Sequence, residues 1–322
     1  MNPLVASQIK WSIPLSVYHK PKLFGKPEWR PVTIDTKPDK VRPGRNSSST
    51  PSSKARFTMI TYNIWFDNIY QSTRYTAIAD LIVRLSADIV CIQEAIVPFL
   101  RYLLANPGIQ AEYGCIGGEA ETLRDGVWYG CLILVRRSTL TVDEGVGELE
   151  NMPLSRYRRR LLSTRVTGVR GQATEGIKGL RVGTAHLDSP GGEDLDAPKR
   201  ARRAQLEYIV KRYQHDVDKT KAAVFCGDTN LARPGEDAAP AELGFKDAWT
   251  EAGMDGGIVT FDSFYPTTGP PNRLDRVLYL GDKIRSVQAR LIGEETVWCE
   301  EARKEVHLSD HKGVMVTLEV DI

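Results

Sequence analysis

The stretch RFTMITYNIWFDNIYQSTRYTAIADLIVRLSADIVCIQE, residues 56–94, decides the architecture. FTMITYNIW is a short apolar, β-branched run and reads as a buried strand. In YTAIADLIVRL the residues Tyr75, Ile78, Ile82 and Leu85 recur at helical spacing and share one face. ADIVCIQE is a second strand, and like the first it ends in polar residues. Strand, helix and strand therefore alternate here.

Downstream, a helical segment follows Glu94 and stops at Asn106-Pro107-Gly108. WYGCLILVRR (128–137), RRLLSTRVTGV (159–169) and LRVGTAHLD (180–188) then read as strands in succession. PKRARRAQLEYIVKRYQ (198–214) is a helix with Pro near its start. Three more strands close the chain: AAVFCGD (222–228), RLDRVLYL (273–280) and VMVTLEV (314–320). Alternation early and clustered strands in the middle predict two packed sheets with helices outside, an α/β sandwich over residues 56–322.

Upstream, residues 1–55 form an extension of different character. Its end, residues 36–55, is rich in Ser, Pro and basic residues and reads as a flexible linker, because it cannot bury enough apolar surface to offset chain entropy. Trp11, Ile13, Leu15, Val17, Tyr18, Leu23, Phe24 and Trp29 suit docking on the main domain, with a partner-binding arm as the other reading.

Composition narrows the class without naming it. The net charge is +2, from 43 basic and 41 acidic residues, so any nucleic-acid surface must be local. The runs RYRRR (156–160) and KRARR (199–203) are the places for one, or else solvated faces. None of the five cysteines forms a C-x-x-C pair; Cys91, Cys131 and Cys226 lie in apolar strands and read as reduced core residues. No apolar run approaches the roughly 20 residues that span a bilayer. No secretory pattern opens the chain, and an intracellular protein of nucleus or cytoplasm is expected.

Polar groups gather where the apolar strands end. They are Asn63, Gln93-Glu94, His186-Leu187-Asp188-Ser189, Gly227-Asp228-Thr229-Asn230 and Ser309-Asp310-His311. Strand ends converge on one edge of a sheet, so these groups can share a site. Glu94 suits a hard cation such as Mg²⁺, which takes one or two carboxylates plus phosphate oxygens and water. Asp228 can accept a proton from water, and Asn230 can hold that water or a phosphoryl oxygen. Asp275 can fix the tautomer of His311 and keep it cationic against a phosphate. His186 and Ser189 add donors for developing phosphoryl charge.

In this order and spacing, TYNIW, IQE, HLDS, GDTN, RLDR and SDH resemble the endonuclease/exonuclease/phosphatase superfamily. The resemblance implies a four-layer α/β sandwich and Mg²⁺- or Mn²⁺-dependent cleavage of phosphate esters. It implies Glu94 as metal ligand with Asn63 and Asp310 nearby, Asp228 as base, Asn230 as holder of nucleophile or phosphate, and His311, oriented by Asp275, as phosphate ligand.

Within that family, HLDS, Arg202-x-x-Gln205-Leu206 and RRLL at 159–162 are similar to the branch that hydrolyses 5′-phosphotyrosyl DNA ends. That likeness implies DNA 5′ ends as partner and Tyr129, Arg159, Ser189 and Arg233 beside the substrate. Several positions depart from that branch. Trp65 replaces an Asp, Asp188 a Glu, and Pro190-Gly191-Gly192 stands where an Arg is expected. Phe261 and Leu274 replace larger aromatics, and Arg233 falls one residue late. A small or lipid phosphoester is the alternative substrate, though Phe225 stands where an inositol 5-phosphatase requires Trp. A catalytically silent scaffold is the alternative from another class.

Overall fold

Lys54–Asn63 lies at the centre of one of two large sheets and pairs on both sides. The computed structural model describes residues 10–19, 28–31, 54–117, 128–191, 194, 196–255, 257–262, 264–265 and 270–321. In chain order the strands are β1 (Lys10–His19), β2 (Glu28–Pro31), β3 (Lys54–Asn63), β4 (Ile89–Ala95), β5 (Tyr113–Ile116) and β6 (Gly130–Arg136). Next come β7 (Leu140–Asn151), β8 (Arg160–Gly168), β9 (Leu180–Thr184), β10 (Ala223–Asp228) and β11 (Lys246–Asp247). The last are β12 (Asp275–Leu280), β13 (Ile284–Ile292), β14 (Thr296–Cys299), β15 (Lys304–His307) and β16 (Gly313–Asp321). The longer helices are α1 (Gln71–Leu85), α2 (Val97–Ala105), α3 (Pro107–Glu112) and α4 (Asp196–Thr220).

One sheet runs β5-β6-β4-β3-β16-β13 and the other β7-β8-β9-β10-β12-β11. Strand alternation makes each sheet apolar on both faces. In β3, Phe57 and Met59 face the opposite sheet while Ile60 and Tyr62 face the helices. In β10, Val224 and Cys226 face inward, whereas Ala223 and Phe225 pack on the α4 side. Three apolar layers result. The middle one joins the sheets, a second seats Tyr75, Ile78 and Ile82 of α1, and the third seats Leu206, Ile209 and Tyr213 of α4. Helices, sheet, sheet and helices stack as the expected four-layer α/β sandwich.

The N-terminal strand joins the two sheets. Lys10–Pro14 runs antiparallel to β7, and Leu15 and Ser16 pair with β5. Ile13 is fully buried in the inter-sheet core. The expected linker lies outside the described residues except Lys54 and Ala55, which open β3. All five cysteines are free and buried. No helix among the described residues is long and apolar enough to cross a membrane. The Asn106-Pro107-Gly108 punctuation ends α2 and also starts α3, since the Asn106 side chain caps the N–H groups of Gly108 and Ile109.

Candidate active site

Both sheets present their motif residues at one end of the sandwich. β3 and β4 are parallel with Asn63 opposite Gln93, and β9 and β10 are parallel, so the polar ends of these strands point the same way. β12 and β16 are antiparallel to their neighbours, so their beginnings meet that end: Asp275 pairs with Asp228, and Ser309-Asp310-His311 precede β16 beside Asn63. Across the sheets, Asn63 Nδ2 donates to Asp228 Oδ2 at 3.0 Å. Gly227 is needed where β10 passes the Ala185 backbone that follows β9. It has φ of +151°, and a Cβ there would meet the Ala185 carbonyl oxygen at 1.9 Å.

Glu94 sits at a register shift between β4 and β6 with φ of +61°, a strained conformation for a non-glycine residue. Its Oε2 accepts the Phe66 N–H at 3.0 Å. Burial, then the nearby Asp310 carboxylate, pushes the Glu94 carboxyl up to about 7. Burial also raises Asp310 to about 6, against the pull of His311 and Arg74. Two buried carboxylates that each resist ionisation mark a place short of positive charge, and this donor set fits a hard divalent cation. Among the described residues no three His, Cys, Asp or Glu side chains form a cage that would hold an ion alone. Phosphate oxygens and water would complete such a shell.

The histidines are set apart by their neighbours. His311 Nδ1 lies 2.7 Å from Asp275 Oδ2, and its Nε2 lies 3.8 Å from Asp228 Oδ2 and 3.9 Å from Asp310 Oδ1. Burial pulls this imidazole down, but Asp275, with help from Asp310 and Asp228, overcomes it and holds it well above the ordinary value. His186 has carboxylates farther off, with Nδ1 3.6 Å from Glu94 Oε1. Burial and the Arg159 guanidinium lower it to about 3, which keeps it neutral. Its Nε2 is 3.3 Å from both Asp228 Oδ2 and Arg159 Nη2. Asn230 adopts φ of +49°, with Nδ2 donating to the Leu187 carbonyl at 3.0 Å and its backbone N–H donating to Asp228 Oδ1 at 3.0 Å.

Arg159 enters from the loop between β7 and β8 and is buried. Its guanidinium donates to Tyr129 Oη and, at 2.8 Å, to Ser189 Oγ, and stacks over the Tyr129 ring at 5.1 Å. All its partners are neutral, and no ion pair involves Arg159 among the described residues. A desolvated guanidinium without a carboxylate is ready for an anion. Arg233 is not joined to this cluster; its backbone N–H donates to Glu236 Oε2.

A family model described as "Endonuclease/Exonuclease/phosphatase family" matches residues 60–311. The chain belongs to that family. It is 26% identical over 200 residues to "Tyrosyl-DNA phosphodiesterase 2" of Homo sapiens, a match covering 62% of this chain and 48% of the human protein. The chain thus matches about half the length of that relative. A D. rerio TDP2 crystal structure complexed with single-strand DNA product superposes with TM-score 0.64 at 21% identity, covering 82% of this chain and 98% of that one. A mannosyl-6-phosphatase of Bacteroides thetaiotaomicron superposes with TM-score 0.61 at 20% identity, over 81% and 99% of the two chains.

The structure of this endonuclease/exonuclease/phosphatase family member also exposes roles that sequence patterns hid. Gln93 crosses the sandwich, with Nε2 donating to Thr184 Oγ1 at 2.9 Å, and so ties the sheets rather than facing the cluster. Arg74 is fully buried and donates to the carbonyls of Ile64, Trp65, Asp67, Ile69 and Leu308. It fixes the backbone beside Glu94 and Asp310, and Trp65 covers it at 4.5 Å. Asp188 is wholly buried and turned toward the Arg159 loop. No sequence signal marked Arg74 or the inward turn of Asp188.

Proposed function

We propose that this chain is a metal-dependent phosphodiesterase that cleaves a phosphoester by in-line attack of water, with DNA 5′ ends, including 5′-phosphotyrosyl ends, as substrate. The carrying observation is the split at one strand edge. Glu94 and Asp310 are buried carboxylates that resist ionisation, while Arg159 is a buried guanidinium with neutral partners and His311 is held cationic by Asp275. Such a division suits a phosphoryl group bridging the two halves.

In this reading Glu94 and Asp310, with Asn63 adjoining, would hold Mg²⁺ or Mn²⁺, which when bound would supply Lewis-acid polarisation of a phosphoryl oxygen. Asp228 takes the proton of the attacking water, oriented by Asn63 Nδ2 and the Asn230 N–H at 3.0 Å each. Asn230 holds the water or a phosphoryl oxygen. His311, kept cationic by Asp275, and Arg159 stabilise the phosphoryl charge, while neutral His186 and Ser189 offer further polar contacts. Tyr129 orients Arg159, and Arg233 contacts substrate outside the cluster.

DNA ends are favoured by the likeness to human tyrosyl-DNA phosphodiesterase 2, and a repair role there carries an expectation of work in nucleus or cytoplasm. A second reading, a small phosphoester, draws on the KRARR run, whose three arginines are each paired with carboxylates of the chain and so offer little basic track for a duplex. In that run Arg202 is paired with Glu236, Arg200 with Asp194, and Arg203 with Glu207 and Glu242. A silent scaffold fits poorly, because Glu94, Asp228, Asn230 and His311 are all present at the site.

The test is one substrate panel assayed with Mg²⁺ and with EDTA. It comprises a 5′-tyrosyl oligonucleotide, an abasic duplex, oligo(A), a sugar phosphate, an inositol phosphate and sphingomyelin. Metal-dependent release from the tyrosyl oligonucleotide is expected, and preference for a small phosphate selects the second reading. Asp228→Asn should lower turnover by at least roughly a hundredfold with the fold intact. Undiminished activity of that variant would refute the mechanism.

A further inference from the structure

Arg159 is held in the site by a loop whose backbone would not adopt its course unaided. Within residues 153–160, Leu154 has φ of +54° and Arg158 of +56°, both in the left-handed region that non-glycine residues avoid. Something must over-determine this conformation.

Asp188, 0% exposed, is the group that does so. Its Oδ1 accepts from Ser155 Oγ at 2.7 Å and from Gln205 Nε2 at 3.0 Å, while Oδ2 accepts from the Arg156 N–H at 2.9 Å. The Ser155 hydroxyl in turn accepts the Arg159 N–H at 2.7 Å. A relay therefore runs from the Asp188 carboxylate through Ser155 to the backbone of Arg159. Asp188 is itself fixed from α4, since Gln205 Oε1 accepts its N–H at 3.1 Å and Arg202 Nη1 donates to its carbonyl at 2.8 Å. Arg202 is locked by Glu236 through hydrogen bonds of 2.9 and 2.8 Å.

We infer that Asp188 is a positioning residue, which templates the 153–160 loop through Ser155 so that Arg159 meets the phosphate, and that α4 is its support. The inference rests on the reading of Arg159 as a phosphate ligand given above. A buried carboxylate accepting three donors enforces their relative places far more strictly than a neutral amide, which must offer N–H where an acceptor is needed.

The experiment is a double-mutant cycle on the full chain, with a 5′-phosphotyrosyl oligonucleotide and Mg²⁺ as probe. Asp188→Asn should lower kcat/KM by ~10–100-fold, the loss attached to a hydrogen bond to a charged group. Ser155→Ala keeps the buried carboxylate but removes both the hydroxyl bonded to it and the acceptor of the Arg159 N–H, and should lower kcat/KM by ~10–100-fold, as for a hydrogen bond to a charged group. Neither change should matter once Arg159 is gone, so each double variant with Arg159→Ala should match Arg159→Ala alone within about twofold. Multiplicative losses would overturn the inference, because a general structural role needs no Arg159. Asp228→Asn is run alongside. If it keeps full activity, or the unaltered protein shows no turnover, the functional reading itself falls. If it is inactive while the cycle is multiplicative, only the role of Asp188 falls.

Discussion

RYRRR and KRARR are nearly the same text, yet their arginines meet opposite surroundings. The first crosses a loop at the mouth of the site, and its Arg159 arrives buried among neutral partners. The second lies on α4, where Glu236 clasps Arg202 and outer carboxylates take Arg200 and Arg203. The difference lies in the surrounding acids rather than in the arginines. An arginine acts as an anion site only where the fold withholds its counter-ion, as at Arg159, and sequence alone does not show which arginine of a run is so treated.

The largest effect should come from Arg202. Removing it strands the Glu236 carboxylate, 3% exposed, without its partner. Arg202→Ala should then lower unfolding free energy by ~3–5 kcal/mol in chemical denaturation. A loss below about 1 kcal/mol would show the pair to be no more than a surface salt bridge. Arg159→Ala should do the reverse. It removes an uncompensated buried charge, so stability should hold or rise, while kcat/KM falls ~100-fold or more, as for loss of a group aimed at transition-state charge. Destabilisation by Arg159→Ala with unchanged kinetics would erase the contrast.

A pH measurement sharpens it further. Glu94 and Asp310 have folded-state values raised to about 7 and about 6. A carboxyl raised on folding stabilises the protein fully below its unfolded value, and that contribution is lost as pH rises through the folded value. The metal-free protein should therefore lose stability between about pH 4 and 7 on account of this pair. Mg²⁺, which binds the deprotonated carboxylates, should raise the melting temperature more at pH 8 than at pH 5.5. An equal Mg²⁺ gain at both values would show that the pair does not bind the ion. Arg202 pairs with Glu236 rather than with Glu94 or Asp310, so Arg202→Ala should leave the Mg²⁺ response unchanged.

The layers were legible because β3, β4 and β10 are continuous apolar runs between sheets and helices, a pattern only a doubly covered strand needs. β13 was missed, since IRSVQARLI alternates buried and exposed residues unevenly around a register shift. β7 was missed too, with LTVDEGVGELEN carrying Glu and Gly through a bulged course. The strand-end residues Asn63, Glu94, Asp228, Asp275, Asp310 and His311 do meet, because short polar endings after apolar runs leave few other places for them. Arg74 and the inward turn of Asp188 depend on backbone carbonyls and loop donors that become neighbours only after folding. No spacing rule encodes those.

The smallest expected effect tests the outer arginines of KRARR. Arg200 and Asp194 are 62% and 59% exposed, and Arg203 faces Glu207 and Glu242, 52% and 57% exposed. Solvent-exposed pairs contribute about 0–1 kcal/mol, so the double change Arg200→Ala, Arg203→Ala should shift stability by no more than that. Each arginine removed also frees its carboxylates, which makes this face of α4 more acidic. If nucleic acid tracked along it, affinity for single-stranded DNA would fall and the salt dependence of binding would flatten by about one unit of slope per lost phosphate contact. The expected result is an unchanged slope, because the arginine charges are already met by acids of the same chain. A flattened slope would make the two runs alike after all, and would move KRARR from scaffold to binding surface.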